Sequence, residues 1–288
     1  MPYRSIFRPG LLEGQTVIVT GGGSGIGRCI AHEISALGAH PVLIGRRIDP
    51  LREVAGEIEE GGGTAGVHSL DIRDEDGVIA TIAEIVAARG ALHGLVNNAG
   101  GQFAAPLAKI SRKGFEAVLS NNLTGGFLMS REVYLQHMEA HGGAIVNIVA
   151  DFFKGMPTMG HSGAARAGMD NLTKTASVEW AASGVRVNAV APGWVASSGF
   201  DTYDEETTNT LRQLHKAVPL QRLGTEAEVS AAVVFLLSEA AAFITGETLR
   251  VDGGAPLAPL HHPLEAHDRS QPFEGFHLAR PPKALSKD

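Results

Sequence analysis

The sequence predicts a single α/β domain built on a doubly wound parallel sheet. Three observations predict it. A short apolar run, Thr16-Val17-Ile18-Val19, leads into Thr20-Gly21-Gly22-Gly23-Ser24-Gly25-Ile26-Gly27. An amphipathic stretch follows, with Ile26, Ile30, Ile34 and Leu37 at helical spacing; that order is strand, glycine-rich turn, helix. Beyond it, short apolar runs alternate with helical periods along most of the chain, the pattern of a parallel sheet covered on both faces. The length of 288 residues, 44% of them hydrophobic, suffices for one large core. Glycines in the turn let backbone approach a pyrophosphate, and the helix N-terminus offers N–H groups and partial positive charge to it.

Residues 1–15 read as an arm, with Gly10, Gly14 and two prolines. After the first strand and helix, residues 41–45 form a second buried strand. Asp49-Pro50 reads as an N-cap followed by a first-turn proline. Leu51, Val54, Ala55 and Ile58 then mark a helix face, closed by Gly61-Gly62-Gly63. A third strand is expected at 65–70 and a helix through Val78, Ile82, Ile85 and Val86. Leu95-Val96-Asn97 is a fourth strand. One helix is expected near 115–119 and another over 125–138. Residues 144–150 form a fifth strand. Residues 162–182 read helical, with Met169, Leu172, Ala176 and Trp180 on one face. A sixth strand spans 185–191, a helix 226–237, and a last strand 248–251.

Two stretches break this rhythm. Residues 194–225 are an insertion, with polar helical character from Asp201 to Leu214; a segment over the carboxyl edge of such a sheet reads as a substrate lid. Residues 255–288 carry six prolines and four histidines and read as an irregular tail. The domain proper is therefore 16–254.

Net charge is −7 with no basic patch, which argues against nucleic acid. No run approaches the roughly 18 apolar residues of a membrane span, and the N-terminus has no apolar signal core. The expectation is a soluble, cytoplasmic protein. Cys29 is the single cysteine and reads as a buried, inert thiol. His137 and His141 have a metal-like i,i+4 spacing but no neighbouring Glu. They read as surface residues, as does His261-His262, and no metal is expected.

The motifs Thr20–Gly27, Asn97-Asn98-Ala99-Gly100, Asn121-Asn122-Leu123-Thr124-Gly125, Pro192-Gly193, Ile244-Thr245-Gly246 and Val251-Asp252-Gly253-Gly254 run in one order through residues 16–254. Together they resemble the short-chain dehydrogenase/reductase family, whose fold is of the Rossmann type. Arg8-Pro9-Gly10-Leu11-Leu12, Gly100-Gly101-Gln102-Phe103 and His161-Ser162-Gly163-Ala164-Ala165-Arg166-Ala167-Gly168 resemble most the peroxisomal trans-2-enoyl-CoA reductases and, less closely, the 2,4-dienoyl-CoA reductases. The chain ends Leu285-Ser286-Lys287-Asp288, without the final leucine of a peroxisomal S-K-L address. The tail is instead expected to cover part of a site.

The resemblance implies a nicotinamide cofactor held by Gly21, Gly23, Ser24, Gly25, Ile26, Gly27, Asn98, Ala99, Gly100, Pro192, Gly193, Val195 and Ser197. Asp71 and Ile72 match its adenine edge. At the end of the second strand an acidic residue binds the ribose 2′-OH, whereas Arg accommodates a 2′-phosphate. Gly45-Arg46-Arg47 has no carboxylate, so NADPH is expected over NADH, with a solvated surface pair as the alternative. The family usually assembles as a homo-oligomer, often a tetramer, with Trp180, Phe235 and Phe243 as candidate anchors.

The catalytic segment departs from the family pattern of Ser followed by Tyr-x-x-x-Lys. Ser162 stands where the Tyr belongs and Arg166 where the Lys belongs; Val149-Ala150 replace the serine. Of the usual set only Asn122 remains. Ketone reduction needs an acid for the alkoxide, and Arg does not deprotonate in proteins. Enoyl-thioester reduction needs donors for an enolate oxygen, a role open to Arg166 and Ser162. Asp151 is a candidate proton donor or a loop cap. The expected activity is hydride transfer from NADPH to an acyl-CoA-like substrate of the trans-2-enoyl type. The alternatives are an alcohol or 3-hydroxyacyl-CoA dehydrogenase in lipid or terpenoid breakdown, and a nucleotide-binding family member without turnover.

Overall fold

The computed structural model describes residues 2–202, 212–258 and 263–285. Seven parallel strands form one sheet in the order β3-β2-β1-β4-β5-β6-β7. They are β1 (Thr16–Thr20), β2 (His40–Gly45), β3 (Gly66–Ser69), β4 (Gly94–Asn97), β5 (Gly143–Ile148), β6 (Val185–Pro192) and β7 (Thr248–Val251). The order reverses between β1 and β4, where Val17, Ile18 and Val19 pair with Gly94, Leu95 and Val96. In open parallel sheets such a reversal opens a crevice at the carboxyl ends.

Strand periodicity assigns the core. Val17, Val19, Leu43, Val96 and Val146 enter one cluster, and Ile18, Val42, Ile44, Leu95 and Ile145 enter the cluster on the opposite face. Helices α1 (Gly25–Ala36) and α2 (Ile48–Glu60) cover the first face. The second is covered by α3 (Glu75–Arg89) and α4 (residues 112–141). Helix α5 (Gly160–Glu179) packs along β6, and α6 (Glu226–Leu237) packs beside α1. The single-domain, doubly wound parallel sheet is as the sequence predicts.

Three details correct the sequence reading. Helix α2 begins at Ile48 with Arg47 as an extended N-cap, so Asp49 and Pro50 lie inside the first turn. A proline there loses no intrahelical bond. The two helices expected over 115–119 and 125–138 are one run, α4. It contains α-helical Arg112–Leu119, a π turn Ser120–Thr124, α-helical Gly125–Val133, a second π turn Tyr134–Met138, and Glu139–His141. His137 is buried rather than a surface residue and stacks on exposed His141 with ring centroids 4.3 Å apart. Burial, with His141 and His93 nearby, lowers the His137 pKa.

Most of the helix expected over Asp201–Leu214, and the His261-His262 pair, lie outside the described residues. Among the described residues no helix is long and apolar enough to cross a membrane. Cys29 is buried and free, its thiol pushed up by burial.

The described tail is irregular but firmly seated. Phe276 joins Tyr3, Cys29 and Ala227 in a small core. Arg28 grips Glu57 through two hydrogen bonds of 2.7 and 2.8 Å, tying α1 to α2, and donates to the Leu278 carbonyl. Arg280 reaches Glu53 and Glu57, and the Ala284 N–H donates to Asp201.

Candidate functional site

The turn after β1 is held by its own residues. Thr20 Oγ1 accepts from the N–H groups of Asn98 and Ala99 and donates to the Val96 carbonyl, locking the β1 and β4 ends together. Asn98 Nδ2 donates to the Thr20 and Gly21 carbonyls. A Cβ on Gly27 would stand 2.4 Å from the Gly21 carbonyl oxygen, so only glycine lets α1 approach the turn this closely. Ser24, the N-cap of α1, makes no side-chain cap bond, which leaves first-turn N–H groups to face a ligand.

Beside this turn lies a cavity of about 480 Å³. It gathers Gly21, Gly23, Ser24, Arg46, Arg47, Asp71, Ile72, Ala99 and Gly100, together with Pro50, Leu51 and Asn121. Arg46 and Arg47 are exposed at its rim. The one carboxylate in the lining, Asp71, is held by two Arg73 hydrogen bonds of 2.8 and 2.5 Å. Those bonds, with Arg46 adding to the field, bring its pKa down to about 2. Apolar walls, a helix N-terminus and two exposed arginines suit the adenosine and phosphates of a dinucleotide.

The other expected cofactor residues do not line this cavity. Ile26 is half-buried against the core and Val195 lies inside it, so a ligand can meet only the backbone of Val195. Asn98 and Gly27 are supports of the turn. Pro192 and Gly193 close the β6 end on β7; a Gly193 Cβ would meet Asp252 Cα at 2.7 Å. Ser197 lies before a short 3-10 turn, accepting from the Phe200 N–H. Gly25, in the left-handed region, opens toward Ser198 and Glu226.

Two segments distant in sequence meet at Gly100. Arg166, on α5, donates through Nη1 to the Ile148 carbonyl at 2.6 Å, and its Nε is enclosed without a hydrogen-bond partner among the described residues. Burial pushes the guanidinium down to about 10, so it remains a cation at neutral pH. Asn122, in the first π turn of α4, accepts the Gly101 N–H through Oδ1, while its buried Nδ2 has no partner among the described residues. A Cβ on Gly100 would lie 2.6 Å from Arg166 Nη2 and 3.1 Å from Asn122 Oδ1. The π turn is a local insertion that re-aims a side chain, a feature frequent at functional sites. Ser162 is fully buried and donates to Gln102 Oε1 at 2.5 Å.

Asp151 follows β5, its N–H bonded to the Pro192 carbonyl. Burial raises its pKa, Asp252 adds to the rise, and Arg250 opposes it. Asp252 Oδ2 is itself enclosed, with an ion pair to Arg250 Nε at 4.0 Å and no hydrogen-bond partner among the described residues. Lys174 is mostly exposed and paired with Asp170, away from the catalytic role its residue type suggests.

Four residues escaped the sequence-based site. Gln102 and Phe103 flank the α5 N-terminus from the loop after β4, His161 sits buried behind them, and Glu226 approaches Gly25 of the glycine turn. Their signal is position: His161 precedes Ser162, and Gln102 and Phe103 directly follow the Gly100-Gly101 turn.

Fold, turn and cleft define a nicotinamide-dependent oxidoreductase of the α/β type. A family profile described as "Enoyl-(Acyl carrier protein) reductase" matches residues 21–256, and the chain belongs to the short-chain dehydrogenase/reductase family, whose members bind NAD(P). It is 35% identical over 258 residues to a peroxisomal 2,4-dienoyl-CoA reductase of Danio rerio, spanning 88% of this chain and 86% of the relative. It is also 35% identical over 251 residues to gluconate 5-dehydrogenase of Gluconobacter oxydans, spanning 86% and 96%. Among solved structures, the citronellol catabolism dehydrogenase AtuB of Pseudomonas aeruginosa matches with a TM-score of 0.80. It shares 58% identity over 88% of this chain and 99% of that one.

Proposed function

We propose that this protein is an NADPH-dependent reductase of conjugated acyl thioesters of the enoyl-CoA type. One observation carries the reading: the positions of the family's acid and lysine hold Ser162 and Arg166, and the buried polar atoms left unpaired there include two donors, Arg166 Nε and Asn122 Nδ2. A site rich in unpaired donors suits an oxygen that gains negative charge. It does not suit chemistry that needs a phenol to give up a proton.

When bound, NADPH supplies the hydride. The N-terminus of α1 would hold its pyrophosphate, and Arg46 and Arg47 would clamp a 2′-phosphate. Arg166 keeps its charge, fixes its guanidinium against the Ile148 carbonyl and holds the thioester oxygen as an enolate. Asn122 orients the Gly100-Gly101 backbone beside it. Asp151, whose pKa is raised by burial, would give the α-carbon its proton, directly or through water. The named 2,4-dienoyl-CoA reductases among the relatives support this acyl-CoA chemistry.

The likeness to the citronellol catabolism dehydrogenase favours a second reading, an alcohol dehydrogenase acting on terpenoid chains. One experiment separates them. Nicotinamide absorbance is followed with crotonyl-CoA plus NADPH, and with citronellol plus NADP⁺. Oxidation of NADPH by the thioester and no reduction by the alcohol is the expected result. Alcohol turnover without thioester turnover would overturn the proposal.

A further inference from the structure

His161 is the second residue of α5 and its side chain is fully buried. Its Nδ1 accepts the Ser162 N–H at 2.8 Å. A ring nitrogen that accepts carries no proton, so the neutral ring bears its hydrogen on Nε2. That Nε2 is enclosed and has no hydrogen-bond partner among the described residues. A buried donor left unpaired is destabilising, and such a group calls for an occupant.

Phe103 packs on the imidazole. The two rings meet edge to face, centroids 4.4 Å apart and planes at 79°. Phe103 itself is 41% exposed, so a half-open ring rests on a fully buried one. The loop carrying it starts at Gly100-Gly101 and is fastened by the Gln102–Ser162 hydrogen bond and by the Ala105 N–H to the Thr158 carbonyl at 2.7 Å. Thr158 holds a left-handed backbone at φ 65°, a strained state for a β-branched residue. The Gly101 N–H is bonded to Asn122, so the same loop also touches the donor cluster at Arg166.

We infer that Phe103 is a cap over His161, and that moving it presents the His161 Nε2–H as a further donor to the acyl oxygen of the substrate. This rests on the proposed enoyl-thioester reading. His161 then works as a fixed neutral donor beside the cation of Arg166, and Ser162 positions it through its N–H.

The cap is tested without turnover. Full-length wild type and Phe103→Ala are placed in D2O, and deuterium labelling of the His161 Nε2–H is followed as the loss of its ring N–H signal by NMR. That proton should label about tenfold faster in the variant, while the ring N–H of buried His32 labels at its wild-type rate. Equal His161 rates, or a rise shared by His32, would overturn the cap. The donor role is tested with His161→Gln, which keeps an N–H donor, and His161→Leu, which does not. With saturating NADPH and crotonyl-CoA, His161→Leu should lose about ten- to hundredfold in kcat. His161→Gln should stay within about threefold of wild type, and both should bind NADPH as wild type does. Equal losses in the two variants, or no loss in His161→Leu, would overturn the donor role. A wild type that neither binds nor reduces crotonyl-CoA would remove the substrate reading and the donor role together, while the labelling still decides the cap.

Discussion

Glu226→Gln should stabilise the protein in a pH-dependent way. Glu226 is the first residue of α6, is 8% exposed, and has its pKa raised to about 7 by burial, against a partial opposing pull from Arg28. The ordinary value is 4.5. A shift of this size corresponds to roughly 3 kcal/mol at about 1.4 kcal/mol per unit. Its sign follows from linkage. Below pH 4.5 both folded and unfolded chains hold the proton, and the carboxyl costs nothing. Between 4.5 and 7 the unfolded chain ionises first, so stability falls as pH rises. Above 7 the folded state carries the whole burial cost. The carboxylate regains about 0.5 kcal/mol from the N-terminal helix dipole. Glu226→Gln should therefore gain roughly 2–3 kcal/mol at pH 8 and close to nothing at pH 4.5. Urea unfolding of both proteins at the two pH values measures this. The same gain at both, or no gain at pH 8, would refute the buried-carboxyl argument. Because a Gly25 Cβ would lie 3.8 Å from Glu226 Oε1, ionisation also places a charge beside the glycine turn proposed to hold the pyrophosphate. NADPH affinity should weaken as pH rises through 7 in wild type and stay flat in Glu226→Gln.

Arg46→Asp should weaken NADPH by roughly ten- to hundredfold and leave NADH within a few-fold, read by fluorescence titration; equal loss for both cofactors would place Arg46 outside the 2′-phosphate site. Gly100→Ala drives a methyl against Arg166 Nη2, and should cut enoyl turnover by at least about tenfold with NADPH affinity near wild type. Wild-type turnover would mean the guanidinium yields freely. Deleting residues 256–288 strips Phe276 from the Tyr3 core and the Leu278 carbonyl from Arg28, whose pair with Glu57 links α1 to α2. The melting temperature should drop by several degrees and NADPH affinity should fall; a deletion matching wild type in both would show that the strap carries no load.

Most of the fold was legible because strands buried on both faces read as apolar runs and helices as 3.6-residue periods. The failures are instructive. Residues 120–124 fell between the two expected helices, yet they form a π turn that joins them into one run. Just after it, a Cβ on Gly125 would collide with Ile72 at 2.6 Å and one on Gly126 with Met169 at 2.5 Å, so these glycines permit close packing. His137 looked polar and external because the tertiary packing that buries it has no sequence mark. In the site, part of each motif was legible: Gly21, Gly23, Ser24, Arg46, Arg47, Ala99 and Gly100 line one cleft, while Ile26, Gly27 and Asn98 support the turn from behind. What was not legible depends on distant segments meeting. Gln102 reaches Ser162 across 60 residues, and Glu226 approaches Gly25 from the far end of the domain.

The central claim is that Arg166 holds the charge formed during reduction of an enoyl thioester. The direct measurement is kcat of Arg166→Ala with saturating NADPH and crotonyl-CoA, alongside its NADPH affinity. Loss of one oxyanion donor predicts a fall of about ten- to thousandfold in kcat, with cofactor binding retained. Because the guanidinium stays charged across pH 6 to 9, the wild-type rate should show no limb from residue 166 over that range. An Arg166→Ala enzyme that turns over crotonyl-CoA at the wild-type rate would contradict the account.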